Sequence, residues 1–204
     1  MKNKTITLIR HGQSAANAGQ ATSDHETIPL TELGYLQAAE LPSKIITVPD
    51  LIIISPYLRA KETAKPLIKA FPKAIVEELF LIHEMNNIAP GKCENMTPIE
   101  RKPFIENYWD VCEPNYIDGI GAESLATFIN RVEQFVKILE NKTEKNIVVV
   151  GHGRFFQAVL YCLSTKNFDP TKEMMGGFIT YFNNNFIKNT ELIQISFRAN
   201  SWVL

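Results

Sequence analysis

Thr5-Ile6-Thr7-Leu8-Ile9-Arg10-His11-Gly12 is a β-branched run that stops at a cation, an imidazole and a glycine. Two later runs end in kindred ways. Leu51-Ile52-Ile53-Ile54 gives way to Ser55-Pro56, with Arg59 a few residues on. Asn146-Ile147-Val148-Val149-Val150 gives way to Gly151-His152-Gly153. Near-continuous apolar runs are how strands covered on both faces read. Helical patterns lie between them: Thr31 as N-cap before Leu33, Leu36, Ala39 and Leu41, ended by Pro42, and Leu58, Ala60, Thr63, Ala64, Leu67 and Ile68, bent near Pro66. The clearest has Leu125, Phe128, Ile129, Val132, Phe135, Val136 and Leu139 at spacings of three and four, and the last runs from Phe155 to Leu163. Strands alternating with helices predict an α/β fold, three layers of helix, sheet and helix around a mostly parallel open sheet.

Outside this frame the pattern weakens. Residues 74–79 make a third strand candidate. Ser55-Pro56 reads as an N-cap with proline in the first helical turn. Between Ile82 and Gly121, prolines and glycines break the periodicity, although Thr97-Pro98-Ile99-Glu100 has the form of a capping box before a helix through Tyr108-Trp109. This stretch is expected to be an insertion, about 82–121, over the C-terminal edge of the sheet: a lid within a single domain of residues 1–204. The aromatics Tyr108, Trp109 and Tyr116 are assigned to packing. Phe178–Phe182 and Leu192–Phe197 are strand candidates, joined by a turn at Asn183-Asn184-Asn185 and adding an antiparallel edge.

The chain has 204 residues, 45% of them hydrophobic, enough for one substantial core. With 21 basic and 22 acidic residues the net charge is −1, which favours neither nucleic acid nor anionic lipid as a partner. Cys93, Cys112 and Cys162 form no framework, the apolar stretch before Arg10 is too short for a signal sequence, and no apolar run reaches membrane length. The expectation is a cytoplasmic protein without a membrane partner.

If the three strong strands are parallel, their ends share one edge of the sheet. Arg10, His11, Arg59 and His152 then converge with two helix N-termini, groups that all favour an anion and phosphate above others. Competing motifs fail. Gly151-x-Gly153 lacks the third glycine of a dinucleotide fingerprint, and there is no Walker-type lysine loop. A metal site from His11, His83, Glu84 and His152 would set a dication beside arginines, so neither metal nor cofactor is expected.

Taken in order, Leu8-Ile9-Arg10-His11-Gly12-Gln13-Ser14, Asn17, Leu30-Thr31-x-x-Gly34, Ser55-Pro56-x-x-Arg59-Ala60-x-x-Thr63-Ala64, Gly119-x-Gly121-Ala122-Glu123-Ser124 and Val150-Gly151-His152-Gly153 resemble the histidine phosphatase superfamily, also called phosphoglycerate-mutase-like. The resemblance spans residues 8–153. It implies that His11 attacks phosphorus and becomes a phosphohistidine. Arg10, Arg59 and a cationic His152 would hold the phosphoryl oxygens, and Asn17 would bond phosphate or the surroundings of His11. It also implies a carboxylic acid after the third strand. Leu81-Ile82-His83-Glu84-Met85 best matches that segment, making Glu84 the proton donor ahead of Glu77 and Glu78.

The chemistry suits the residues: a neutral imidazole is a nucleophile near pH 7, and phosphoryl transfer otherwise needs positioning and charge stabilisation. Gln13 stands where many mutases of the family carry glutamate, and their tryptophan-rich stretch is missing after Asn17. The expectation is therefore a metal-independent phosphatase acting on a small phosphorylated molecule or a phosphoprotein. The alternatives are a phosphoglycerate-type mutase and a non-catalytic phospho-ligand binding module.

Overall fold

The computed structural model describes residues 3–204. Strand β1 is Lys4–Arg10, followed by helices α1, Glu32–Ala39, and α2, Leu41–Lys44. Next come β2, Leu51–Ile54, α3, Leu58–Ala70, and β3, Ile75–Glu78. Then come α4, Pro98–Val111, α5, Leu125–Asn141, β4, Asn146–Gly151, and α6, Gly153–Thr165. Helix α7, Lys172–Asn184, precedes β5, Leu192–Arg198, and β6, Ser201–Val203.

These strands form one six-stranded sheet in the order β3-β2-β4-β1-β5-β6. The pairs β1–β4, β4–β2 and β2–β3 are parallel, while β5 runs antiparallel to β1 and β6 to β5. Period-two alternation divides the core. Ile9, Ile52, Ile54, Val148 and Val150 pack under α2 and α3. Ile6, Leu8, Leu51, Ile53, Ile147 and Val149 pack under α5, α6 and α7 on the other face. The expected three layers, the mostly parallel sheet and the antiparallel edge are all present.

Register aligns the strand ends. Arg10 lies opposite Gly151, and Ile54 and Ile9 both lie opposite Val150. The ladder runs one step further: His11 N donates to the Gly151 carbonyl at 2.9 Å, and Ser55 N to the Val150 carbonyl at 3.0 Å. His11, Ser55 and His152, the first residues beyond three strands, therefore stand abreast. The chain leaves β1 toward one face of the sheet and leaves β4 into α6 on the other, so a crevice opens between these neighbours.

Several local expectations are corrected. Phe178–Phe182 is not a strand but part of α7, which Thr171 caps by accepting from Met174 N at 3.1 Å. Met174, Met175, Phe178 and Phe182 recur at helical spacing and pack on α6, where a Cβ at Gly177 would lie 2.2 Å from the Tyr161 hydroxyl. The tail's second antiparallel pair is made by β6 instead. Ser55 does not cap α3. That helix starts at Leu58 with Tyr57 at the cap position, and the Ser55 hydroxyl is committed elsewhere. Leu33 and Leu36 are exposed, and α1 turns Gly34 and Ala38 inward instead.

The capping box forms as read, Thr97 and Glu100 bonding reciprocally at the start of α4. Tyr108 is fully packed, with Trp109 and Tyr116 against it. Among the described residues, no helix is long and apolar enough to cross a membrane.

Candidate active site

At the C-terminal edge of the sheet lies a cavity of about 580 Å³. Arg10, His11, Asn17, Arg59 and Glu84 all line it. His152 does not reach the cavity wall. It is fully buried directly behind His11, with ring centroids 5.3 Å apart in an edge-on arrangement.

His11 is set from both sides. Its Nδ1 lies 2.7 Å from the Gly12 carbonyl oxygen. A carbonyl only accepts, so Nδ1 carries the proton and Nε2 keeps its lone pair. That lone pair accepts from Arg59 Nε at 3.1 Å. Burial, then the Arg59 and Arg10 charges, hold the His11 pKa well below 6.5, so the ring is neutral near pH 7.

The loop behind His11 is fixed through glycine. Gly12 N donates to Thr63 Oγ1 at 2.9 Å, and Thr63 donates in turn to the Arg59 carbonyl at 2.6 Å. A Cβ on Gly12 would meet the Gly34 carbonyl oxygen at 2.6 Å, and one on Gly34 would meet the Gln13 carbonyl oxygen at 2.1 Å. The 12–13 loop and α1 thus touch backbone to backbone.

The two arginines are anchored differently. Arg59, on the first turn of α3, also donates to the His25 carbonyl and lies over the Tyr57 ring at 5.0 Å. Burial lowers its pKa to about 10, leaving it charged. Arg10 donates from Nη1 to the Ile187 carbonyl at 2.6 Å and lies 5.1 Å from the Phe186 ring centroid. Its buried Nε has no hydrogen-bond partner among the described residues.

His152 places Nε2 2.7 Å from Ser55 Oγ, while its buried Nδ1 has no partner among the described residues. Burial, Arg59 and His11 hold its pKa well below 6.5. Full desolvation beside a guanidinium thus disfavours, in the resting site, the cationic His152 that the resemblance implies.

Glu84 reaches the cavity, and the other two acids do not. Glu77 is paired with Lys142 at 2.6 Å and Glu78 with Lys61 at 2.7 Å, both on the β3 edge. Glu84 Oε2 accepts from Arg154 N at 3.2 Å, and Oε1 from Phe155 N at 3.2 Å and Met85 N at 2.9 Å. The first-turn N–H groups of α6, expected from sequence to face an anion, thus hold this carboxylate. Among the lining residues four arginines (Arg10, Arg59, Arg101, Arg154) face this one carboxylate. His83 lies between Phe80 and Tyr57, its Nδ1 2.7 Å from the Phe80 carbonyl oxygen.

Asn17 turns its Oδ1 to Ser14 N, Ser14 Oγ and Asn189 Nδ2, at 3.2, 3.1 and 3.1 Å. Asn189 also donates to the His11 carbonyl at 2.8 Å, and Thr190 N to the Arg10 carbonyl at 2.9 Å. Sequence reasoning missed Asn189, which reaches the site from the distant loop before β5 and belongs to no motif. It also gave no role to Ser55 beyond capping, nor to His25, which lines the cavity with its pKa lowered to about 4, chiefly by burial. No group of three or more His, Cys, Asp or Glu among the described residues could hold a metal ion.

Fold and cavity together define an α/β protein with an anion-accepting crevice at its strand ends. The profile of the histidine phosphatase superfamily, branch 1, matches residues 6–204. An adenosylcobalamin/alpha-ribazole phosphatase of Escherichia coli K12 is 30% identical over 177 residues, 84% of this chain and 82% of that protein. An uncharacterized phosphatase, PhoE, of Bacillus subtilis is 28% identical over 157 residues, covering 76% and 75%. In fold, the alpha-ribazole phosphatase of Shigella flexneri superposes with a TM-score of 0.74 at 23% identity, over 98% of this chain and 94% of that one. A mycobacterial glucosyl-3-phosphoglycerate phosphatase superposes with a TM-score of 0.73 at 18% identity, over 99% and 97%. The chain belongs to the histidine phosphatase superfamily, branch 1, and is a phosphoric monoester hydrolase of that type.

Proposed function

We propose that this enzyme hydrolyses a small phosphomonoester through a phosphohistidine on His11, without a metal ion. The observation that carries the reading is the tautomer of His11: its Nδ1 proton is held by the Gly12 carbonyl, leaving a neutral Nε2 lone pair in a cationic crevice.

In the first step the Nε2 lone pair attacks phosphorus and the bond from phosphorus to the ester oxygen breaks. Glu84 takes up a proton as the substrate phosphate enters beside it and gives that proton to the departing oxygen. Arg10 and Arg59 hold the phosphoryl oxygens, Arg59 releasing Nε2 as the phosphate arrives. A phosphoryl dianion beside His152 raises the pKa of that ring, and the proton it takes up makes it a third cation. In the second step Glu84 removes a proton from water, the oxygen attacks phosphorus, the P–N bond breaks and His11 returns neutral. Asn17 keeps the Ser14 turn and, through Asn189, the His11 backbone in place.

Segment 82–121 acts as the lid and selects the substrate. The roughly 580 Å³ cavity suits a small molecule better than a folded phosphoprotein. The names of relatives acting on alpha-ribazole phosphate and glucosyl-3-phosphoglycerate point to the same class.

The reading is tested by a phosphate-release screen over sugar phosphates, nucleotides, phosphoamino acids and phosphopeptides, with wild type and His11→Ala in parallel. Release from small monoesters that His11→Ala loses supports it. Turnover retained by folded His11→Ala overturns it.

A further inference from the structure

We infer that Glu123 and Arg131 form a strap that positions Glu84 for proton transfer, an inference that rests on the acid role proposed for Glu84. Neither residue lines the cavity. Glu123 sits in the Gly119-x-Gly121-Ala122-Glu123-Ser124 motif, to which the chemistry above gives no task.

The two side chains form a buried, forked pair. Arg131 Nε donates to Glu123 Oε2 at 2.9 Å and Nη2 to Oε1 at 2.7 Å. Arg131 Nη1 then reaches the carbonyls of Leu81 and His83, both at 2.7 Å. Glu123 completes the grip: its Oε1 accepts from Asn86 N at 3.0 Å, and its own N–H donates to the Asn86 carbonyl at 2.8 Å. The pair thus holds residues 81, 83 and 86, on either side of Glu84. A second path leads to the same carboxylate. The Arg131 guanidinium lies 5.2 Å from the Phe155 ring centroid, and the Phe155 N–H holds Glu84 Oε1.

The chain needs such a grip at this point. After the single turn Phe80–Ile82 no helix or strand begins until the turn at Pro90–Lys92. No ladder of backbone bonds sets the conformation of 83–89, yet a proton donor has to be held within about 0.5 Å of its working position. A buried ion pair is a poor source of net stability but a good source of fixed geometry. The planar Arg131 fork meets Glu123 and two carbonyls at once, which a lysine ammonium does not match.

A strap for the acid differs from a plain loop anchor in its kinetic signature. Proton donation matters in proportion to the basicity of the leaving oxygen, whereas a loosened cavity harms every substrate alike. The test compares kcat/KM, which reports P–O cleavage, for propyl phosphate and 2,4-dinitrophenyl phosphate in wild type, Glu84→Gln, Glu123→Gln and Arg131→Lys. Glu84→Gln sets the reference by losing on the order of 100-fold or more on the alkyl ester and far less on the dinitrophenyl ester. Glu123→Gln and Arg131→Lys are expected to follow that pattern, falling about 10- to 100-fold on the alkyl ester and staying within about threefold on the other.

Equal losses on both esters, or none on either, while Glu84→Gln keeps its selectivity, would overturn the strap alone. An unselective Glu84→Gln would instead overturn the acid role, and the strap with it. Glu123→Gln is isosteric, so it decides the matter should Arg131→Lys fail to fold.

Discussion

Arg59 Nε donates to His11 Nε2 across 3.1 Å, so the guanidinium occupies the lone pair assigned to attack phosphorus. That contact aims the imidazole, adds to burial in keeping it neutral and, in the mechanism proposed, gives way to the phosphate. Replacing Arg59 by Met should lower kcat/KM by about 100- to 1000-fold, the scale of losing one transition-state donor. It should also raise the His11 pKa toward 6.5, since the Arg59 charge is second only to burial in lowering it. Titrating the His11 ring by NMR in both proteins checks the shift; an unchanged or lower pKa would contradict it.

Ser55 and His152 make a second pair, at 2.7 Å between Oγ and Nε2. Ser55→Ala leaves a buried imidazole nitrogen without a partner, a loss of about 1–3 kcal/mol in stability. The same change frees the ring that is to protonate against phosphate. Vanadate binding to wild type should take up protons near pH 7, as calorimetry in buffers of different ionisation enthalpy would read. His152→Gln should take up fewer, and equal uptake in the two would count against the role of His152.

Acid should weaken the fold itself. His11, His25 and His152 all have folded pKa values below the unfolded value near 6.5. Below 6.5 the unfolded chain therefore binds protons that the native state refuses, and stability drops as pH falls. His25, lowered to about 4, accounts by itself for about 2 kcal/mol between pH 7 and 5. Urea unfolding at the two pH values measures this, and His25→Asn should remove its share.

Gly34→Ala tests the seam between α1 and the catalytic loop. The new Cβ would lie 2.1 Å from the Gln13 carbonyl oxygen, a backbone atom with no rotamer to change. A loss of about 2–4 kcal/mol is expected, with activity falling through displacement of Gly12, the acceptor for His11 Nδ1. A Tm within a degree of wild type would show that the seam yields.

The core of the fold was legible because β2 and β4 are covered on both faces and write that burial as unbroken apolar runs, with β1 a β-branched run beside them. His11, Arg59 and His152 were legible for the same reason, lying within a few residues of those strand ends. Helix α7 was not, because Phe178-Ile179-Thr180-Tyr181-Phe182 is rich in β-formers and follows two glycines. Only its packing on α6, where Gly177 meets Tyr161, makes one of those glycines an advantage. Ser55 misled because serine before proline is a good capping signature, while the sheet register gives its hydroxyl to His152 instead. Asn189 left no local signal: its position follows from the antiparallel docking of β5 beside β1. The resting charge of His152 depends on total burial, which no local pattern encodes.

The most direct test of the account is to trap the covalent intermediate. Rapid quenching of the enzyme into base during turnover of a radiolabelled phosphomonoester, followed by peptide mapping, reads out the labelled residue. The account predicts an acid-labile, base-stable label on His11, absent from His11→Ala and, with 2,4-dinitrophenyl phosphate as substrate, built up when Glu84→Gln slows attack by water. Turnover without label on His11, or label on any other residue, would contradict it.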